Sequence, residues 1–313
     1  MDRILKNDLW NGKVSPWYSL LFITIIVLIG LFLGQAIGVI ITLLMTNLSL
    51  EEIPSLISEP YTREKLFPIY LLQGFGTLGG FILSGAIYLR YFERLHPLVL
   101  FKKMTLTGVA LTFLTVSACM MANSVLIDWN AHIHFPESLS HFETWARQKE
   151  YDMKTVTEFL TRFNGIAEFL AGMVIIAILP AVGEEYLFRG IIQNKLELIL
   201  KNSHGAIWFT AILFSAFHFQ FFGFIPRMML GVLFGYIYYW SRNLWLPVIA
   251  HFLNNGFTLT MIYLYHEGIV KTNIEEENSM PWRFALVFGI LGIVSLFYCR
   301  QHFMLKRDEP VRG

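Results

Sequence analysis

The chain has 313 residues, 55% of them hydrophobic and 15% charged, with a formal net charge of +1 and a mean hydropathy of +0.53. Soluble domains carry about 25% charged residues, so this composition excludes an ordinary soluble domain, and the near-zero net charge gives no footprint for nucleic acid. Two cysteines, Cys119 and Cys299, each lie inside an apolar run and read as small buried hydrophobes rather than a disulfide framework.

A membrane-spanning helix needs about 20 apolar residues. The first run, 17–45, is too long for a signal-peptide core and has no small-residue cleavage site behind it, so it is expected to stay as a helix. Further runs follow at 69–89, 105–127, 165–200, 205–222, 224–240, 244–265 and 282–300. The expectation is an all-α, polytopic membrane protein of about eight transmembrane helices, with the active site in the helix bundle. It divides into an N-terminal membrane region at 1–164, a central core at 165–265, and a last span with a cytoplasmic tail at 266–313. The N-terminal region holds about three spans and an outer-side loop at 128–164, read as a short helix on the membrane surface. His132, His134 and His141 in that loop read as solvated.

Orientation follows from the Lys and Arg bias toward the inner side. With the N-terminus inside, the inner segments hold Arg3, Lys6, Lys13, Arg90, Arg94, Lys102, Lys103, Lys195, Lys201, Arg242, Lys306, Arg307 and Arg312. The outer segments hold fewer, among them Arg63, Lys65, Arg147, Lys149, Lys154, Arg162 and Lys271. Both termini are therefore expected in the cytoplasm. A bacterial cytoplasmic membrane is the expected location, since no ER-retention signal ends the sequence.

Charges inside a span are costly and mark function by default. The fourth run carries Glu184, Glu185 and Arg189. Glu185 and Arg189, four apart, share a helix face and can pair, whereas Glu184 points about 100° away. Gln193 and Glu197 extend a polar stripe at the same spacing, and Pro180 with Gly183 predicts a kink just before the pair. The fifth run places His218 one turn after Phe214, inside a helix. The seventh carries His251, Asn254 and Asn255, with His251 and Asn255 on one face and Asn254 read as a helix–helix hydrogen bond. Counting about 1.5 Å per residue from the connecting turns, Glu184, His218, His251 and Asn255 reach comparable depth.

Two chemistries suit that set. A carboxylate in a low-dielectric pocket binds a proton more readily than in water and can take one from a water molecule. A histidine can orient that water, and a second histidine with an amide can donate hydrogen bonds to the oxyanion of a tetrahedral intermediate. Alternatively Glu184, His218 and His251 could hold a zinc ion with an open position. The first is preferred, with no obligatory cofactor, because Asn255 is a poor zinc ligand and a good oxyanion donor. A G-x-S-x-G elbow is missing, and His266-Glu267 lacks the second histidine of H-E-x-x-H.

Glu184-Glu185-Tyr-Leu-Phe-Arg189 matches E-E-x-x-x-R, Phe214-Ser-Ala-Phe-His218 matches F-x-x-x-H, and His251-Phe-Leu-Asn-Asn255 matches H-x-x-x-N. Over about 165–258 the chain resembles the CAAX protease and bacteriocin-processing (CPBP) family of intramembrane proteases. The resemblance implies a catalytic core at 165–265 acting on membrane-associated protein or peptide substrates in the lipid bilayer. It assigns water activation to Glu184 and His218, oxyanion stabilisation to His251 and Asn255, and shaping of the pocket to Glu185 and Arg189. The rival readings are a proton-coupled transporter, which would show internal repeats, and a non-catalytic immunity or scaffold protein of the same fold.

Overall fold

The computed structural model describes residue 10, residues 14–271 and residues 280–308, with side chains as far as Leu305. Among the described residues there are nine long helices and no strand. They are α1 (Pro16–Met45), α2 (Arg63–Phe92), α3 (Leu106–Ala131), α4 (Ser140–Thr161), α5 (Ile166–Leu200), α6 (Ser203–Ala216), α7 (Phe224–Ser241), α8 (Trp245–His266) and α9 (Trp282–Asp308). Eight of them coincide with the eight apolar runs; the ninth, α4, occupies the polar stretch at 128–164. That stretch was expected to hold a short helix, but α4 runs for 22 residues. Arg3, Lys6, Lys13 and Arg312, counted above for orientation, lie outside the described residues, as do the side chains of Lys306 and Arg307.

Five helices, α1, α2, α3, α5 and α9, are long and apolar enough to cross a membrane, against the eight spans expected. The 14 residues of α6 reach only about 21 Å at 1.5 Å per residue, short of a hydrocarbon core of about 30 Å. In α7 and α8, Arg227, His251, Asn254 and Asn255 dilute the apolar character. The surface pattern of α1 is inverted relative to a soluble helix. Its buried face is built from Ser19, Ile23, Val27, Gly34, Gly38 and Thr42, while Phe22, Leu28, Phe32, Leu33, Ile40 and Leu44 are exposed. In water such a surface would be an aggregation site; against lipid it is solvated. The protein is an all-α polytopic membrane protein.

The helices form two compact units, Met1–Val99 with Val156–Asn202, and Leu100–Thr155 with Ser203–Gly313. In the first, α1 lies against α2 at backbone distance. A Cβ added at Gly30 would stand 2.3 Å from the Gly79 carbonyl oxygen, and one at Gly34 would stand 2.3 Å from that of Phe75. Gly30, Gly34 and Gly38 form one small-residue stripe at four-residue spacing, the arrangement by which helices gain dispersion contacts without a hydrophobic driving force. Below it, Leu56, Leu66, Ile69, Tyr70 and Leu160 form a core, and the Tyr70 hydroxyl donates to the Leu160 carbonyl at 2.7 Å.

The same unit holds a buried ion pair. Lys195, counted above among the inner-segment charges, has no solvent exposure, and its Nζ lies 2.7 Å from Glu93 Oε1. The Tyr88 and Ser19 hydroxyls donate to the same carboxylate oxygen, and the Trp10 ring centroid lies 4.6 Å from Lys195 Nζ. Burial of an ammonium is tolerated because a carboxylate and an aromatic face replace its water.

In the second unit, Val116 of α3 packs with Leu233, Phe234 and Ile237 of α7 and Leu246 and Ala250 of α8. Asn243, in the turn between α7 and α8, accepts from the Lys102 and Trp245 amides at 3.0 and 3.2 Å and donates to the Lys102 carbonyl at 3.1 Å. Cys119 and Cys299 are free thiols, one half-buried and one buried.

Replacing Gly30 with Ile is expected to separate α1 from α2, because backbone cannot move aside as a flexible side chain would. Overpacking costs typically about 1–3 kcal/mol, so a clear drop in melting temperature is expected in detergent. Gly289→Ala, whose Cβ would meet only Ala122 at 3.9 Å, should melt like wild type; equal melting of both variants would refute the close-packing role.

Candidate active site

The carboxylates sit on α5, in the first unit. This helix widens twice into π-helical turns, at Met173–Ile178 and at Phe188–Ile192. The first ends two residues before Pro180, so the turn that must accommodate a residue without an N–H is already loosened. The second contains Arg189 itself. It inserts extra angular room into the ladder and ends the i+4 polar stripe expected from Glu185 to Glu197: Asn194 and Lys195 are buried beside Gln193. The Asn194 side-chain amide donates to the Arg189 and Gly190 carbonyls at 3.0 and 2.9 Å, satisfying acceptors that the π turn displaces.

Glu185 and Arg189 pair as their spacing predicts. Arg189 Nη1 donates to Glu185 Oε1 at 2.7 Å, and both side chains are fully buried. The adjacent Glu184 is half-buried rather than buried. The two adjacent carboxylates thus differ in burial: Glu185 is enclosed with the guanidinium, and Glu184 is half-buried with its Oε2 inside the protein. Close packing seats this stretch: Cβ atoms added at Gly183 and Gly85 would come within 2.9 Å of Phe81 and Tyr186 respectively.

The imidazoles and the amide sit in the second unit. The predicted fifth helix, 205–222, is shorter in the structure: α6 ends at Ala216, and His218 stands in the turn beyond it. Phe219 adopts a left-handed conformation at φ 53°, which a helix cannot continue. His218 Nδ1 lies 2.8 Å from the Phe214 carbonyl oxygen. A carbonyl only accepts, so Nδ1 carries the proton and the lone pair is on Nε2.

Phe214 also organises the second imidazole. Its ring meets those of His218 and His251 edge-on, with centroids 5.1 and 5.8 Å away, and His251 stacks on Phe234 at 5.5 Å. Gly231 makes room for this ring, since a Cβ there would stand 3.3 Å from Phe214. His251 is buried, and Asn255 lies one turn further along α8. Asn254, expected to bond another helix, instead donates from Nδ2 to Asn255 Oδ1 at 3.1 Å. With its oxygen accepting, the Asn255 amide presents N–H as a donor.

The loop histidines are surface groups, as expected: His132 pairs with Asp128 and His134 with Glu143. The Phe135 amide and the Arg147 guanidinium beside Glu143 hold its carboxyl down at about 2. An apolar cavity of about 530 Å³ is walled by α3, α8 and α9. Its α8 residues, Leu253 and Phe257, project about 200° round from His251 and Asn255 at 100° per residue, so it lies behind the polar face. Among the described residues, no group of three or more His, Cys, Asp or Glu side chains is arranged to hold a metal ion.

These features define the class: a multi-pass helical membrane protein with carboxylates, imidazoles and amides on its apolar helices. The family profile of type II CAAX prenyl endopeptidase Rce1-like proteins matches residues 166–257. Two curated bacterial relatives align with part of the chain. One is the uncharacterized protein YpbD of Bacillus subtilis, 30% identical over 98 residues, covering 30% of this chain and 47% of the relative. The other is the membrane-embedded CAAX protease MroQ of Staphylococcus aureus, 32% identical over 108 residues, covering 33% of this chain and 43% of the relative. The chain thus spans under half the length of the curated relatives it matches, and no solved structure matches it. Through this segment the chain is similar to CAAX prenyl endopeptidase-like membrane proteins.

The buried pair should behave as one unit. Removing either charge strands the other, at about 3–5 kcal/mol, so Glu185→Gln and Arg189→Met should each melt well below wild type in detergent. The double variant removes both charges and should recover part of the loss. Strictly additive destabilisation would refute the pairing.

Proposed function

We propose that the protein is an intramembrane endopeptidase that hydrolyses peptide bonds of membrane-associated proteins or peptides with an activated water. The observation carrying this reading is the division of labour between two adjacent carboxylates. Glu185 bonds Arg189 and is fully buried, while Glu184 beside it is only half-buried.

Each role follows from local chemistry. Glu184 takes a proton from water as the oxygen attacks the scissile carbonyl carbon, and later returns it to the leaving amine as the C–N bond breaks. His218, with its Nε2 lone pair, accepts a hydrogen bond from the same water and orients it. Asn255 and His251 donate to the developing oxyanion. Glu185 neutralises Arg189. An asparagine suits an oxyanion donor better than a zinc ligand, so the reaction is read as needing no obligatory metal. The matching family profile and the printed name of the Staphylococcus aureus relative support the reaction class.

Glu184→Gln keeps size and hydrogen bonding but loses basicity, so turnover of a correctly folded variant should fall about 10²-fold or more. In the same assay, thorough chelation should leave the wild type active. Undiminished cleavage by Glu184→Gln overturns the role of the base, and activity lost to chelation and restored by Zn²⁺ overturns the metal-free route.

We further read the protein as resident in a bacterial cytoplasmic membrane with both termini inside and 128–164 outside, supported by the Lys and Arg bias of the full sequence. Single cysteines at Ser138 and Ser203 should react with an impermeant thiol reagent from opposite sides of the membrane. Reaction of both from one side refutes this orientation.

A further inference from the structure

His218 stands in the turn beyond its helix, tied to α6 by the Phe217, His218 and Phe219 amides and by the Ser215 hydroxyl, which donates across the turn to the Phe224 carbonyl at 2.7 Å. The chain leaves α6 at Ala216 and re-enters a helix only at Phe224. Between them Phe219 occupies a left-handed conformation that a bulky side chain rarely adopts, and such a residue persists only where the surroundings impose it.

Further bonds that hold the turn come from α3 and α4, which lie outside the segment that the family profile matches. Asn130, in the last turn of α3, is buried at 3% exposure. Its Nδ2 donates to the Phe221 carbonyl at 3.2 Å, and its Oδ1 accepts from the Ile225 amide at 2.8 Å. One side chain thus bonds both directions of the turn. Two turns earlier, Asn123 Nδ2 donates to the Pro226 carbonyl at 3.2 Å. The first half of α4 closes over the same turn: Arg147 lies 4.2 Å from the Phe222 ring centroid, and the Phe142 ring meets Phe221 at 5.1 Å.

We propose that Asn130 is a positioning residue for His218, and that the end of α3 with the first half of α4 forms a clasp that fixes the imidazole through the 217–225 turn. This rests on the reading of His218 as the residue that orients the attacking water. The clasp gives the region at 128–155 a role in the reaction without contact to substrate. It acts by keeping the backbone that carries His218 in the one arrangement where Nδ1 meets the Phe214 carbonyl.

The test has a spectroscopic and a kinetic arm, with Asn243→Ala as control, a buried amide that also bonds backbone but far along the chain from this turn. In ¹⁵N-histidine-labelled protein, with the His218 signal assigned by its loss in His218→Ala, wild type and Asn243→Ala should show the single Nδ1–H tautomer. Asn130→Ala should show a tautomer mixture. Kinetics use a quenched-fluorescent transmembrane peptide that the wild type cleaves. Asn130→Ala should lower kcat about 10-fold or more with KM within about two-fold, in line with the about 10²-fold that a 1 Å misplacement can cost. The same substitution in a His218→Ala background should cost nothing further. An unchanged His218 tautomer in Asn130→Ala, an equal change in Asn243→Ala, or an undiminished loss in the His218→Ala background overturns the proposal. Full activity of His218→Ala instead refutes the role of His218 itself, and the tautomer signal still decides whether Asn130 holds the ring.

Discussion

A guanidinium with no solvent exposure has to be neutralised where it stands, and much of the candidate site's chemistry depends on how this is done at Arg189. Its partner is Glu185, one turn back on the same helix, at 2.7 Å. The same stretch carries a π turn at Phe188–Ile192, and the Asn194 amide donates to the Arg189 and Gly190 carbonyls there.

The second unit solves a different problem. Imidazoles and amides must be oriented rather than neutralised, and aromatic rings do this at low cost in conformational freedom. Phe214 contacts both His218 and His251, and Phe234 stacks on the latter. The short polar contacts do the rest: a carbonyl fixes the His218 tautomer, and Asn254 turns the Asn255 amide so that its N–H is the donor.

Both units are assembled under the same solvent constraint. In hydrocarbon, apolar surface gains nothing from being hidden, so contacts are made by shape and by polar satisfaction. The glycine stripe of α1 against α2 is the shape solution. The Glu93–Lys195 pair with Tyr88, Ser19 and Trp10 is the polar one. The exposed leucines and phenylalanines of α1 and α9 are the complement of this economy, since lipid is their solvent.

The sequence by itself determined the class, a polytopic membrane protein built from apolar helices. Apolar runs of membrane length mark helices without reference to any neighbour, and all eight runs became helices. A carboxylate pair followed four residues later by arginine fixes a local ion pair, because both partners lie on one helix face. Tertiary structure decided what depends on distant chain. The Gly30–Gly79 approach was present as a spacing of small residues but not read, because a stripe of glycines means close packing only once its partner is known. The burial of Lys195 depends on its counterion, Glu93, about a hundred residues away in the chain. His218 was placed in a helix because the apolar pattern runs on to Phe222; the end of α6 at Ala216 is set by Asn130, Asn123 and Arg147, which hold the following turn from elements far off in sequence. Local periodicity reports which residues share a face, and only the packed chain reports what that face meets.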